Sequence, residues 1–332
     1  MKNTSSTIKY RNFFELPGSR IIIKRRLRRS VHLHLFIAAL AFCSISFTSC
    51  EKNIDLKIDN YKPLLVVEAY INNQMSEYNY VVLSRSLEYF STDFQGTAVS
   101  NARVTITEGE FKNNQYVWNA TSKVQLAEAN SARVPESLRK GVYLDPRLAS
   151  NPQNALIGKP GKSYLLEISE GGNQYSAIAT MLIPVPIDSV TAGYKYVDES
   201  DSNKTKFRIT NHYKDPDTLN NAQFYYYRYA DNLNNFGWGG LSKSRAFGTD
   251  DLTNGQEIHL THLHGFVLGD TVTYYMASVT RDVYNFWDSF NKARNNAGPF
   301  ATPVILTTNI KGDNVTGCFS GLSLSSKTII IR

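Results

Sequence analysis

Three of the six histidines in this 332-residue chain, His259, His262 and His264, fall within one short stretch. Imidazoles at such spacing could share a transition-metal ion. The stretch reads as a strand, however, and strand alternation sends His262 and His264 to one face and His259 to the other, so only two could meet one ion without a bulge. Asp215 and Asp217, around Pro216, could offer oxygen ligands to calcium, but they lack the regular spacing and glycine of a known loop type. A polar turn is the simpler reading. Cys318 has no identifiable partner for nucleophilic work and reads as a small buried residue. Neither a Gly-x-Ser-x-Gly elbow nor a His-Glu-x-x-His pair occurs. Gly158-Lys159-Pro160-Gly161-Lys162-Ser163 imitates the end of a phosphate loop, but Leu156 stands where the first glycine belongs and a strand follows, so it reads as a turn. Gly237-Trp238-Gly239-Gly240 lacks the strand-to-helix setting of a dinucleotide site. The expectation is a non-catalytic chain with no metal and no cofactor.

Aromatic density is the stronger signal, with 20 Tyr, 17 Phe and 3 Trp. The richest run is Phe224 to Tyr229, followed by Phe236 and Trp238. In a strand, Tyr225, Tyr227 and Tyr229 share one face while Phe224, Tyr226 and Arg228 share the other. Tyr, Trp and Arg are enriched at binding hot spots, which makes Tyr225, Tyr227, Tyr229, Phe236 and Trp238 the candidate ligand or partner surface. The competing reading is that tyrosines simply fill a β core and its rim.

The elements that must position these residues are mostly strands. Leu64–Ile71 and Tyr78–Ser84 read as a hairpin, and strand-like runs recur at Arg103–Thr107, Gln115–Trp118, Gly141–Leu144, Ser163–Ser169 and Gln174–Leu182. Gly, Asn and Pro clusters separate them, including the tight turn Glu170-Gly171-Gly172-Asn173. After Ile183-Pro184-Val185-Pro186, further strands are expected at Ser189–Tyr196, Lys206–Thr210, Phe224–Tyr229, Glu257–His262 and Thr271–Val279. Val283, Phe286, Trp287 and Phe290 make one apolar stripe at helical spacing, predicting a helix over 281–296 capped by Thr280 or Asp282 and stopped by Gly298-Pro299. Pro303–Leu306 and Lys327–Ile331 read as closing strands. The expected fold is mainly β, with two antiparallel sandwich domains at 64–183 and 187–332 and one short amphipathic helix.

The N-terminal 49 residues are set apart from that fold. Lys24, Arg25, Arg26, Arg28 and Arg29 precede an apolar run from Val31 to Phe42, well short of the roughly 20 residues that span a bilayer, so the segment reads as a secretory signal. Phe47-Thr48-Ser49-Cys50 resembles the cleavage box of bacterial lipoproteins, which marks Cys50 for lipidation. An ordinary signal peptide with a coincidental Cys is the alternative. Translation starting near Ile21 would explain the long polar leader. Residues 50–63 then form the lipid anchor and tether. Nine Lys or Arg and one acid lie in residues 1–49, so 27 basic face 28 acidic residues in the remainder. A nucleic-acid partner loses its electrostatic basis.

Taken together, the lipoprotein Cys, LLVVEAYI with Asn72 after it, VVLSRSLEYF, VSNARVTI, the Gly158–Ile168 segment, PVPIDSV and TTNIKGDNVTGCFSG resemble a Bacteroidota outer-membrane lipoprotein family of unknown function, domain of unknown function 4249. That family is usually Gly-rich with Ile-Phe near its end, where this chain has Gly317-Cys318-Phe319. The resemblance implies a palmitate-type acyl anchor and an N-terminal sandwich similar to transthyretin-like or carboxypeptidase-regulatory domains. It also implies a gene beside a TonB-dependent transporter. No catalytic residues come with it. The expectation is a lipid-anchored, cell-surface-facing outer-membrane protein that partners a TonB-dependent receptor in nutrient uptake. A structural or adhesive envelope protein is the alternative, and a hydrolase is third.

Overall fold

Leu65–Asn72 (β1) and Tyr80–Arg85 (β2) form the antiparallel hairpin at the centre of the computed structural model. The structure describes residues 62–87, 96–129, 139–198, 201–229, 242–249, 251, 253–296 and 304–332, all within the unit Asn60–Arg332. The near-continuous apolar run of β1 reflects its place between two neighbours: Leu65, Val67, Ala69 and Ile71 enter one core and Tyr70 enters another.

Next come Arg103–Lys112 (β3), Gln115–Trp118 (β4), Val124–Glu128 (β5), Val142–Leu144 (β6), the short helix Arg147–Ser150 (α1), Ser163–Glu170 (β7) and Asn173–Thr180 (β8). The β7–β8 register pairs Glu170 with Asn173 across Gly171 and Gly172, both at positive φ (56° and 84°). A two-residue hairpin of matching twist needs that conformation, and glycine adopts it without a Cβ clash. Strands β3, β7 and β8 face β1 and β2 across a core that includes Val104, Ile106, Tyr164, Leu166 and Ile168.

Beyond Pro184 and Pro186 lie Ser189–Asp198 (β9), Asp201–Lys214 (β10), Asn221–Arg228 (β11), Ser242–Thr249 (β12), Glu257–Phe266 (β13) and Thr271–Thr280 (β14). Strands β13, β10 and β9 form a separate three-stranded sheet that covers one face of β11 and β14. The helix Arg281–Asn295 (α2) covers the opposite face, burying Val283 and Phe286 against a core shared with Phe224, Tyr226, Cys318 and Leu322. Thr280 does occupy the N-cap but its side chain makes no capping hydrogen bond, and the helix ends at Asn295, ahead of the expected Gly298-Pro299 stop. Asp282 in the first turn and Lys292 and Arg294 in the last complement the helix dipole.

Two strands remain, Ile310–Lys311 (β15) and Val315–Ile330 (β16). Of the expected closing strand at Pro303–Leu306, the described residues 304–306 run without strand pairing, and Lys327–Ile331 proves to be the end of a 16-residue strand that stops at Ile330. Residues 315–322 of β16 pair in parallel with β1, and 323–330 pair antiparallel with β14. Gly317 makes the first contact possible: its φ is +128°, and a Cβ there would stand 1.9 Å from the carbonyl oxygen of Val67. Its neighbours then divide, with Cys318 entering the helix-covered core and Phe319 the β1–β7 core. At the handover the side chain of Asn73 takes over, accepting from the Leu324 amide at 2.6 Å, while Asn73 and Gln74 donate to the Leu324 carbonyl. One path of hydrogen-bonded neighbours therefore runs β12-β11-β14-β16-β1-β2-β6-β5-β3-β7-β8-β15, with β4 beside β3.

Candidate functional site

The candidate tyrosines of β11 occupy the interior. Tyr225 and Tyr227, with Tyr229 just past the strand, face the three-stranded sheet, and Tyr227 is fully buried. Phe224 and Tyr226 on the other face are buried under α2. These rings are a correction to the expected surface: two layers cover the strand, so both faces are core. The Tyr225 hydroxyl lies 2.9 Å from that of Tyr213, and burial raises the Tyr225 pKa well above its ordinary value, assisted by the facing Tyr213 and Asp215. Phe236, Trp238 and the glycines beside them lie outside the described residues, as does Cys50.

Strand β13 divides its histidines as alternation requires. His262 and His264 point inward, with His262 edge-on to Tyr227 (centroids 5.5 Å apart, 83°) and His264 stacked near the same ring. Burial holds His262 down at about 4, so this imidazole is neutral. His259 points outward and meets His212 of β10, directly opposite in register, with the two Nδ1 atoms 2.8 Å apart. Among the described residues no group of three or more His, Cys, Asp or Glu side chains gathers. Asp215 and Asp217 instead line a cleft of about 730 Å³ between the Leu182–Pro186 connection and the β10–β11 loop. Its walls are largely apolar, and Ile183 and Leu219 stand exposed there.

The remaining candidates for chemistry are accounted for by structure. Cys318 is fully buried, and burial pushes its thiol up to about 12, which leaves almost no thiolate at neutral pH. Lys159 to Lys162 close a turn, with the Lys162 amide donating to the Lys159 carbonyl and Gly161 at φ +80°. Gly158 is tight for another reason: its amide donates to Asn72 O at 2.7 Å, and a Cβ would lie 2.9 Å from that oxygen.

An exposed aromatic surface does exist, on the β3–β4 hairpin. The register sets Phe111 opposite Tyr116 and Gly109 opposite Trp118. Phe111 is 55% exposed and Tyr116 40% exposed. Phe111 and Tyr116 are 4.9 Å apart between centroids, and Tyr116 and Trp118 stack at 5.3 Å and 9°. Trp118 reaches over Gly109, where a Cβ would fall 2.4 Å from the indole. Tyr116 also lines a groove of about 460 Å³ whose other walls include Leu165 of β7, Ser176 and Ile178 of β8, Lys311 of β15 and Asp282 of α2. Three rings beside hydroxyls and two opposite charges can stack on a flat or sugar-like group and orient its polar atoms. The signal was present in the sequence: Asn113-Asn114, both at positive φ (50° and 63°), fix a two-residue turn, and that turn fixes which rings share a face.

A family model described as a domain of unknown function, DUF4249, matches residues 51–328. The chain belongs to that family. No curated protein matches it. Similar solved structures include the transglutaminase of red sea bream, at 8% identity and a TM-score of 0.21, covering 82% of this chain and 32% of that one. Another is a DUF3823 family protein from Bacteroides uniformis, at 12% identity and a TM-score of 0.20, covering 82% of this chain and all of the other. At these scores neither likeness carries a fold or an activity across. The DUF4249 match takes in every described strand up to Thr328 of β16. It therefore includes both Gly317 at the β1 junction and the β3–β4 aromatic ladder.

Proposed function

We propose that this DUF4249 protein is a lipid-anchored outer-membrane protein of the Bacteroidota type, which faces outward and binds rather than transforms its ligand. In this reading it serves as the accessory partner of a TonB-dependent transporter in nutrient uptake. The observation that carries it is the ladder Phe111–Tyr116–Trp118, with Phe111 and Tyr116 exposed and Tyr116 lining a groove together with Lys311 and Asp282. Exposed aromatics beside a few convergent polar groups are the composition of a recognition surface. The lipoprotein-like Phe47-Thr48-Ser49-Cys50 supports the anchor. Two or more acyl chains hold a protein stably in a bilayer, and confinement with a transporter raises the effective concentration of each for the other. The tether before Leu64 extends at most about 3.3 to 3.6 Å per residue, which keeps the first sandwich near the membrane.

The test begins with metabolic labelling by a clickable fatty acid, which should mark the wild type and leave Cys50→Ala unmarked and soluble. Affinity purification from detergent-solubilised outer membranes should then recover one specific TonB-dependent transporter, and protease added to intact cells should cleave the protein. Recovery of no transporter while known pairs survive the same preparation, with the protein resistant to protease, would replace this reading by a structural or adhesive envelope role.

A further inference from the structure

The geometry points to a metal site at His212 and His259, on the solvent face of the three-stranded sheet, suited to a divalent ion of tetragonal preference such as Cu²⁺ or Ni²⁺. Both residues lie in regular strand, directly opposite one another, so the backbone register holds the pair in place. On the same face, Lys214 pairs with Glu257 on one side and Thr210 with Thr261 on the other. The two hydroxyls of the second pair are 2.8 Å apart.

Two Nδ1 atoms at 2.8 Å need something between their lone pairs. A single proton serves when no metal is present. A metal ion serves once both rings adopt the tautomer with hydrogen on Nε2. His212 is prepared for that tautomer, because its Nε2 lies 3.0 Å from Thr191 Oγ1 on the neighbouring strand β9. A ligating histidine typically donates its other N–H to such a partner, which fixes the ring and raises its basicity. The separation also selects the ion. Two nitrogens each about 2.0 Å from a metal and at a right angle lie about 2.8 Å apart, whereas a tetrahedral angle spreads them to about 3.3 Å. The observed distance fits cis positions of a square-planar or octahedral ion and is short for tetrahedral zinc. Both rings are at the surface and can turn on the sheet to aim their lone pairs, and water completes the coordination.

The experiment uses the full lipidated protein, purified in detergent through a tag free of histidine, and titrated with Cu²⁺ against a competing chelator while electron paramagnetic resonance is recorded. The wild type should take up one equivalent with hyperfine structure from two imidazole nitrogens. His212→Gln and His259→Gln should each weaken binding at least tenfold and leave a single-imidazole spectrum. Thr191→Val should weaken it about tenfold while keeping both nitrogens, since it removes only the outer partner. Thermal melts without metal should show all three variants folded, because the face is exposed. A wild type that binds no stoichiometric Cu²⁺, or a His212→Gln/His259→Gln double variant with unchanged affinity and spectrum, would overturn the assignment.

Discussion

Strands β11 and β4 are both dense in aromatic residues, and they meet opposite fates. In β11 the rings alternate between two cores, one closed by the sheet β13-β10-β9 and the other by α2. On the β3–β4 hairpin the rings project from a four-residue strand, β4, that among the described strands pairs with β3 alone, and Phe111 and Tyr116 stay 55% and 40% exposed. Residue type is nearly the same in the two places. The number of layers stacked on each strand differs, and that number decides whether a tyrosine stabilises the fold or is available for binding.

The comparison rests on both regions belonging to one cooperative structure through β16, and the largest expected effect comes from breaking that strand. Gly317→Ala forces a Cβ into the Val67 carbonyl and a strained φ at the same residue. The expected cost is about 4 kcal/mol or more, enough to unfold an ordinary domain. Circular dichroism and tryptophan fluorescence should show a loss of cooperative unfolding in both sandwiches together. If only one of them is lost, the two regions are independent and β16 does not couple them.

Tyr227→Ala comes next, because it empties a fully buried site among Tyr225, His262, Phe266 and Tyr274. Large-to-small changes of this kind cost about 3 to 5 kcal/mol. Urea titration should place the midpoint well below wild type with an unchanged slope. A loss under about 1 kcal/mol would mean that β11 is not covered as described and that its rings are available to a partner after all.

Local patterns were legible in the sequence and layering was not. The hairpin turn at Gly171-Gly172, the run of β1 and the helix after Thr280 follow from residue periodicity and turn chemistry, and the structure places them within about two residues. Strand β16 was invisible over most of its length, because Gly317, Gly321 and four serines dilute the apolar alternation that marks a strand. Its two partners lie far off in the chain, so no local window holds the reason for it. The same limit governs the candidate sites. Alternation separates His259 from His262 correctly, but His212 is 47 residues away and only the β10–β13 register brings it to His259. The ladder on β4 needed only the Asn113-Asn114 turn to be taken as fixing register.

The buried histidine gives a smaller and pH-dependent contrast. The His262 pKa falls from 6.5 to about 4 on folding, because burial disfavours the imidazolium. The unfolded chain therefore binds the proton that the folded chain refuses between those values. Stability from this group is complete above about pH 6.5 and is lost as pH falls toward 4, with a slope of up to about 1.4 kcal/mol per pH unit. Stability measured from pH 7 to 4 should fall less steeply in His262→Leu than in wild type, the difference between the two curves isolating this one group from the carboxylates. Parallel curves would mean that His262 titrates alike in the folded and unfolded chains, and that the β11 core is wetter than its burial implies.

The smallest effect on stability is expected at Tyr116, and it separates the two strands most sharply. Its side chain is 40% exposed, so Tyr116→Ala should change the unfolding free energy by no more than about 1 kcal/mol, in contrast to Tyr227→Ala. Removing it also opens the stack between Phe111 and Trp118 and one wall of the groove, so binding should suffer where folding does not. Hot-spot truncations cost about 2 kcal/mol or more, which is roughly thirtyfold in affinity. Transporter recovery from solubilised membranes should drop accordingly for Tyr116→Ala, while a substitution on the opposite face of the same strand, Val117→Ala, should leave it unchanged. Equal recovery from wild type and Tyr116→Ala would remove the ladder from the binding surface and shift attention to the apolar cleft at Ile183 and Leu219, the other exposed concave surface described. A large loss of stability in Tyr116→Ala would show instead that β4 is structural, and the contrast with β11 would disappear.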